Sequence, residues 1–294
     1  MRERSPLIDY ALLGLLSLLW GGSFTLIKIA VADYPPATLA ALRMAIGGAA
    51  LLVPARAQGL RLPRSGRRWA ELLLQGLLQG ALPFSLISWG EMHMASGLAG
   101  VINSTVPMFV FLISVFAVRS ARFAMLKFIG VLLGLTGVAT LAGAQSLTQL
   151  SSTAALPVLA VLAASASYAC GALFGHRFGD QPAVVTASGS LLCGSAVMLA
   201  LSACLDAPWA LQPRIDATLA LLGLALLSTA LASVIFFRLI KTLGSLATTS
   251  NAYLRALVSV LLGAVFLGEP VGWPLVAAIA LIFTGVALVT RSNA

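Results

Sequence analysis

The feature of this sequence that most restricts its fold is a series of ten apolar segments, each about as long as a bilayer-spanning helix. A hydrocarbon core of about 30 Å needs about 20 apolar residues in an α-helix. Charge, proline or a polar cluster bounds each segment. The predicted spans are 9–31, 35–54, 69–90, 96–118, 123–142, 155–175, 182–204, 215–237, 243–267 and 271–290. The sequence therefore predicts an all-α integral membrane protein with ten transmembrane helices.

Composition supports this prediction. Hydrophobic residues make up 60% of the chain and charged residues only 9%, against about a quarter charged in soluble domains. The double-length blocks 69–118 and 215–267 are each expected to break once, at "GEMHMASG" and "RLIKTLGS". The first segment follows Arg2 and Arg4 as a signal peptide would, but its apolar run exceeds the usual length of about 7–15 residues, so we expect it to be retained as a span.

The positions of lysine and arginine predict the orientation. With a cytoplasmic N-terminus, Arg214 alone lies outside, and Lys28, Arg43 and Arg255 lie within spans. The rest of the 18 basic residues collect on the inner side, namely Arg2, Arg4, Arg56, Arg61, Arg64, Arg67, Arg68, Arg119, Arg122, Lys127, Arg177, Arg238, Lys241 and Arg291. We therefore expect a multi-pass protein of a bacterial inner membrane with both termini cytoplasmic. The net charge of +9 is a topology signal, and no nucleic-acid partner is expected.

The two halves of the chain resemble each other. "LLWGGSFTLIKI", which contains Trp20, aligns with "SASYACGALFGHR", which contains Tyr168, and "MASGLAGVINSTVPMFVFLISVFAVRS" aligns with "TLGSLATTSNAYLRALVSVLLGAVFLGE". We predict a first half at 9–142, an outer linker at 143–154 and a second half at 155–290. Five spans per half is an odd number, so the second half enters the membrane inverted, with a central cavity between the halves.

Three motifs resemble those of a known family. They are "WG" late in the first span, the in-helix arginine of "AALRM" and "LGE" at the end of the ninth span. In order, spacing and duplication they resemble the drug/metabolite transporter superfamily, and within it the ten-helix carriers built of two EamA-type halves. The likeness covers about 11–290, and among members the chain looks like bacterial amino-acid exporters.

The chain departs from the family pattern at two positions. Halves in this family often have a proline about thirteen residues before a helix-ending glutamate. The first half has Pro107 but Ser120 in place of the acid, and the second has Glu269 but Ala256 in place of the proline. We expect the missing proline to straighten the ninth helix.

A transporter needs a polar path, and the third span offers one candidate. Gln75, Gln79, Trp89 and His93 fall within about 40° of one line if the helix is regular. Two amides, an indole and an imidazole at these positions could bind a zwitterion. The alternative is a helix–helix contact held by glutamine hydrogen bonds.

Other candidates lie on the first, fourth and sixth spans. Asn103 and Pro107 share a face, and Pro107 frees a backbone carbonyl near residue 103; the alternative is a packing kink. Trp20 is a candidate mainly through the family likeness, because an aromatic face is more often core packing. Tyr168 aligns with it in the second half.

Arg255 lies one turn after Asn251 inside an apolar segment. A charge at the bilayer centre costs about 2.5–3.5 kcal/mol on insertion scales, so it rarely faces lipid. We expect Arg255 to face the interior, where it could hold a carboxylate; the alternative is snorkelling or a bond to a neighbouring helix. Lys28 is expected to snorkel to the outer surface and Arg43 to pack against a neighbouring helix.

No aspartate or glutamate lies near the middle of a predicted span, and Glu91 and His93 are placed in the outer loop region. Because proton-coupled carriers commonly use an acid or histidine relay, the hypothesis is transport without an obligatory proton. Cys170, Cys193 and Cys204 fit no zinc or disulfide pattern, and neither a metal nor another cofactor is expected.

The predicted function is export of amino acids or similar small metabolites by alternating access, with a substrate and the lipid bilayer as partners and a monomeric chain. The alternatives are a proton-coupled drug exporter or a carrier of another metabolite. A membrane enzyme is not favoured, because His93 and His176 are predicted at opposite faces and no catalytic cluster is visible. A channel is not favoured either, since one chain lacks a ring of filter segments.

Overall fold

The structure is a computed structural model that describes residues 6–116, 125–148, 155–249 and 251–290. Helices and short connections make up these residues, and no strand occurs among them. The helices are numbered α1 to α10 along the chain: Pro6–Ala30, Pro36–Ala57, Gly66–His93, Ser96–Phe116, Met125–Thr148, Ala155–Phe178, Ala183–Leu205, Ile215–Ser245, Ala247–Leu267 and Trp273–Thr290.

The prediction of an all-α, ten-helix membrane protein is confirmed. Over the described residues, 8 helices are long and apolar enough to cross a membrane, and α5 and α10 contribute shorter apolar stretches, Met125–Gly134 and Trp273–Gly285. Both predicted breaks occur, at Met94–Ala95 and at Gly244, whose φ of 82° lies in the left-handed region that favours glycine. Part of the stretch predicted as a linker belongs to α5, which continues to Thr148. Ser120 and residues 149–154 lie outside the described residues.

Four helices depart from regular α-helical geometry near their centres. α3 and α8 each contain a π-helical segment, Leu77–Ala81 and Leu224–Leu231. α4 is interrupted by a turn at Ser104–Thr105, and in α9 a turn at Asn251 lies between helical residues 247–249 and the helix that begins at Ala252. From there the helix runs through Ala256 without an interior break, as expected where the family proline is missing. α3 and α8 occupy equivalent positions in the two halves, as do α4 and α9.

Helices of the two halves pack against each other in a reciprocal pattern. α2 packs against α7 and α5 packs against α10, so the second and fifth helices of each half meet their counterparts. α1 packs against α8 and α9, while α6 packs against α3 and α4. This exchange of contacts is the one that a two-fold axis between equivalent halves would produce.

Glycine permits the closest of these contacts. A methyl group at Gly76 of α3 would overlap the carbonyl oxygen of Ser190 in α7, and one at Gly285 of α10 would overlap that of Gly130 in α5. Small residues of this kind let helix backbones approach in membranes, where the hydrophobic effect does not drive helices together.

Polar and apolar side chains are distributed as in a membrane protein. Large apolar side chains such as Leu219, Leu261 and Phe266 are exposed, whereas Gln75 and Asn103 are fully buried. Lipid can cover the apolar exterior, and these polar side chains are kept away from it inside the bundle. The polar interior at the centre of the fold is therefore where a functional site is expected.

Candidate functional site

An internal cavity lies where six helices meet near their centres. It contains about 260 Å³ of empty space and is lined by Trp20, Gln79, Val106, Tyr168, Phe236, Thr249, Asn251 and Arg255. Within that space a water-sized molecule can occupy only about 10 Å³. This is close to the minimum of about 10–15 Å³ that one buried water needs, so the cavity is nearly closed in this conformation. Most of the helical irregularities lie on its walls: the π segment of α3, the turn in α4 and the irregular start of α9.

Arg255 faces this cavity, as predicted. Its side chain is buried, and its Nη2 donates a hydrogen bond of 3.1 Å to the backbone oxygen of Asn103. The centre of its guanidinium lies 5.6 Å from the ring centroid of Trp20, within cation–π range. Its Nε has no hydrogen-bond partner, and within the described ranges no carboxylate lies within ion-pair distance. Arg255 is therefore a buried cation without a counter-ion.

Pro107 explains why the Asn103 carbonyl is available to Arg255. In a regular helix, the backbone N–H of residue 107 would donate to the carbonyl of residue 103, but proline has no N–H. The turn at Ser104–Thr105 interrupts α4 at the same place. The predicted free carbonyl exists, and Arg255 binds it.

Six of the other lining residues bring polar or aromatic groups to the cavity, namely Trp20, Gln79, Tyr168, Phe236, Thr249 and Asn251. The Oε1 of Gln79 and the Oδ1 of Asn251 are buried without a hydrogen-bond partner among the described residues. The indole of Trp20 donates to the backbone oxygen of Ser228 at 3.1 Å, in the π segment of α8, and its ring lies 5.4 Å from that of Phe236. The cavity thus combines one cation, two free amide oxygens and an aromatic wall.

The predicted polar line on α3 does not form. Gln79 lines the cavity, but Gln75 is fully buried and donates to the Gly171 backbone oxygen of α6 at 3.2 Å, which is the helix–helix contact of the alternative. Trp89 and His93 are exposed and pack against each other, with ring centroids 4.8 Å apart. The π segment explains the difference, because one π-turn adds a residue and offsets everything after it by about 100°.

Asn103 and Pro107 are buried but are not among the residues that line the cavity. The Nδ2 of Asn103 donates to Ser165 Oγ at 3.0 Å and thereby joins α4 to α6. Asn103 binds Arg255 through its backbone oxygen, and Pro107 leaves that oxygen free to accept the bond.

Similarity to known proteins shows the family of this chain. The EamA-like transporter family matches the chain twice, at residues 8–143 and 155–291. The chain belongs to this family. It is therefore a membrane transporter.

Individual relatives agree with this assignment. The chain is 28% identical over 271 residues to the uncharacterized inner membrane transporter YedA of Escherichia coli, covering 92% of this chain and 86% of that one. It is 29% identical over 287 residues to the uncharacterized transporter YvbV of Bacillus subtilis (96% and 92%). It is 27% identical over 257 residues to a probable terminal-alkyne amino-acid exporter of Streptantibioticus cattleyicolor (85% and 82%). One solved crystal structure shares the fold, with a TM-score of 0.68 at 22% identity over 98% of both chains.

Three residues that line the cavity of this EamA-like transporter were not predicted from the sequence. Val106 and Phe236 are apolar and look like any other core residue. Thr249 lies two residues before Asn251, in the polar stretch "TTSN", and that stretch was the one available clue. Their shared position depends on how α4, α8 and α9 pack together, which helical periodicity does not reveal.

The other two cations predicted within spans of this EamA-like chain, Arg43 and Lys28, are not among the residues that line the cavity. Arg43 packs against neighbouring helices as expected: its Nε donates to Thr229 Oγ1 and its guanidinium lies 3.8 Å from the Phe84 ring centroid. Lys28, which the sequence places near the outer end of α1 where it can snorkel, is half-buried. Its Nζ donates to the backbone oxygens of Glu91 at 2.5 Å and Met94 at 2.9 Å, where it satisfies carbonyls at the C-terminal end of α3.

Glu91 and His93 were predicted to lie in the outer loop region, but both belong to the last turn of α3. Glu91 is fully buried, whereas His93 is exposed. Glu91 still lies near the end of its span, as the hypothesis of proton-free transport assumed, but it is buried in the helix and not placed in a loop. The hypothesis itself stays a prediction.

Acidic side chains hold the same end of the bundle together. Glu269, after α9, accepts hydrogen bonds from the backbone N–H groups of Ser96 (2.6 Å) and Gly97 (2.9 Å), and so caps the N-terminus of α4. Asp206 accepts from the N–H of Thr38 at 2.8 Å, near the start of α2. We call this end, which carries the connections after α1, α3, α7 and α9, the α1–α2 end.

An exposed ion pair joins two connections at the α1–α2 end. The carboxylate of Asp33 lies 3.1 Å from Nε of Arg214 and also accepts from its backbone N–H at 2.8 Å. The backbone hydrogen bond is the largest cause of a lowered pKa at Asp33, and the side chain of Arg214 acts in the same direction. Asp33 is therefore ionised at neutral pH.

Proposed function

We propose that this transporter exports small zwitterionic metabolites, foremost amino acids, across a bacterial inner membrane. The observation that carries the proposal is Arg255, a buried cation without a counter-ion in a small central cavity. An anionic group on the substrate would supply that counter-ion. The relative named as an amino-acid exporter supports a carboxylate as this group.

The free polar atoms of the cavity match the two ends of an amino acid. The guanidinium of Arg255 retains N–H groups that can bind a carboxylate. The free oxygens of Gln79 and Asn251 can accept hydrogen bonds from an ammonium group. Trp20 and Phe236 would then contact the substrate side chain.

Alternating access between inverted halves accounts for the architecture. The reciprocal packing of α1 on α8 and α9, and of α6 on α3 and α4, supports two equivalent halves. Helices interrupted near the middle of the membrane are common at the substrate sites of transporters with inverted repeats, and α4 and α9 are interrupted beside this cavity.

The orientation follows from the basic residues. Arg214 is the basic residue expected outside, and it lies at the α1–α2 end. Arg67, Arg68 and Arg177 lie together with Glu71 at the opposite end of the bundle, at the start of α3 and the end of α6. The excess of basic residues at this second end supports a cytoplasmic location for it, so we propose that the α1–α2 end faces outward.

The main alternative is a proton-coupled exporter of cationic drugs. Such a substrate would need a carboxylate in the cavity, whereas the described lining contains an arginine and no acid. A phosphorylated metabolite would need several cations, and Arg43 is already engaged with Thr229 and Phe84. Amino acids fit the single free cation best.

Reconstituted transport tests the proposal. Purified protein in liposomes would be assayed with labelled threonine, methionine, phenylalanine, lysine and glutamate, a cationic dye and a nucleotide sugar, each with and without a pH gradient. We expect saturable movement of neutral amino acids, loss of that movement in Arg255→Ala, and normal rates in Arg61→Ala, where an exposed arginine is removed. Movement of the dye alone would contradict the proposal.

A further inference from the structure

Glu91 is a buried acid that the proposed transport cycle does not yet use. It lies in the last turn of α3 with an exposed fraction of 0%, and neither carboxyl oxygen has a hydrogen-bond partner among the described residues. It is not a cavity-lining residue. A fully buried carboxyl without a hydrogen bond is rare in proteins and calls for a physical explanation.

The charged groups around Glu91 come from several elements. Lys28 of α1, Arg43 of α2 and Glu269 after α9 act on it electrostatically. His93 on the same helix is exposed. The facing turns of α6, whose Val161 lies against Gly90, have no charged residue between Ala155 and Ser165.

Lys28 is held close to Glu91 without forming an ion pair with it. Two of its three N–H groups are used by the backbone oxygens of Glu91 and Met94. Within the described part of the chain, its Nζ lies farther than ion-pair distance from the carboxyl oxygens. An ionised carboxylate in such a position has lost water and gained no hydrogen bond, which costs several kcal/mol. A neutral carboxylic acid avoids most of this cost.

The elements that cover Glu91 are the ones that separate if the α1–α2 end opens. The Glu269 cap joins the connection after α9 to the N-terminus of α4, and Lys28 joins α1 to the end of α3. Separation of these elements would admit water to Glu91. An ionised Glu91 would then be solvated, and the third N–H of Lys28 would be available to it.

We propose that Glu91 is the proton-binding site of this transporter, loaded when the α1–α2 end is closed and unloaded when that end opens. On opening, the carboxylic O–H bond breaks, the proton passes to water and the carboxylate remains near Lys28. Closure requires the proton to return. The inference rests on the alternating access of the proposed function. In that cycle, Glu91 releases a proton each time the α1–α2 end opens and binds one before it closes.

Infrared spectroscopy tests the protonation state directly. Spectra of the wild type, Glu91→Gln and Asp216→Asn would be recorded in lipid at about pH 7. We expect the C=O stretch of a protonated carboxyl in the wild type, its loss in Glu91→Gln and its retention in Asp216→Asn, which makes the same chemical change at an exposed residue of the same end. A wild-type spectrum without the band, or a band retained in Glu91→Gln, would overturn the proposal.

Transport measurements test the coupling. Amino-acid exchange would be followed in proteoliposomes as the pH outside the α1–α2 end is raised from about 6 to about 9. We expect the wild-type rate to fall severalfold because closure waits for a proton, and Glu91→Gln to keep a rate that does not depend on pH. Equal pH profiles in the two proteins would overturn the proton site while leaving amino-acid export intact. Absence of wild-type transport would contradict the proposed function, and the infrared result would still decide the state of Glu91.

Discussion

The guanidinium of Arg255 donates to the backbone oxygen of Asn103 across a distance of 3.1 Å, which joins α9 of the second half to α4 of the first. The carbonyl is free because Pro107, four residues later, has no N–H to donate. A break in one helix thus orients the cation of another.

Pro107→Ala is expected to weaken substrate binding. The new N–H at position 107 can bond to the Asn103 carbonyl and compete with Arg255, so the guanidinium loses a hydrogen bond to a charged donor worth about 1.5–3 kcal/mol. We expect the KM for amino acids in proteoliposomes to rise about tenfold or more. Pro157→Ala is the matched control, because Pro157 lies in the first turn of α6 where its N–H would have no helical partner. An unchanged KM in Pro107→Ala would show that Pro107 does not determine the orientation of Arg255.

Gln75→Leu and Gln79→Leu, the same substitution one turn apart, are expected to have opposite effects. Gln75 holds α3 to α6 through Gly171, so its loss should lower stability by about 1 kcal/mol with little change in transport. Gln79 faces the cavity with a free oxygen, so its loss should reduce transport severalfold while stability is kept. Thermal unfolding and transport per folded molecule would be measured for both. The reverse assignment of effects would show that the cavity is not the transport path.

Glu269→Ala is expected to destabilise the α1–α2 end. The carboxylate accepts two backbone N–H groups at the start of α4, and removal of a helix N-cap costs about 0.5–2 kcal/mol. Glu269→Gln keeps an oxygen acceptor and should recover part of the loss. Denaturant unfolding in detergent would measure both variants. Equal stability of Glu269→Ala and the wild type would contradict the assignment of Glu269 as the cap of α4.

Asp33→Asn is expected to lower the midpoint of thermal unfolding by a small amount that does not vary between about pH 5 and about pH 8. The pKa of Asp33 is lowered in the folded protein by Arg214, so the pair contributes stability above the unfolded value of about 3.9. The contribution is lost as the pH falls through the lower, folded pKa. The difference between variant and wild type should therefore vanish only in acid. A difference that changes near neutral pH would point to another group.

The ten helices could be predicted because hydropathy and length are local properties. Residues 36–57 and 183–205 form helices within a few residues of the predicted spans. Arg255 could also be predicted to face inward, since a charge in an apolar segment has few alternatives. The freed carbonyl at Asn103 followed from the chemistry of Pro107 alone.

The rest depended on packing or on backbone irregularity. The π segment at Leu77–Ala81 has no sequence signal, so a regular helix was assumed and Trp89 and His93 were placed on the wrong face. Lys28 and Glu91 are 63 residues apart in sequence and come together only when α1 and α3 pack. Burial of an acid near a helix end cannot be inferred without knowing what covers that end.

The π segment of α3 also has a consequence for how relatives of this protein could diverge. Such a segment equals one inserted residue, so an in-frame deletion of a single codon within Leu77–Ala81 would restore an ordinary helix. The half of α3 that ends at His93 would then turn by about 100° as one piece. Trp89 and His93 would rotate toward the line of Gln75, and Glu91 would leave its place beside Lys28. One small change in the gene would thus alter the contents of the cavity and the burial of the acid together.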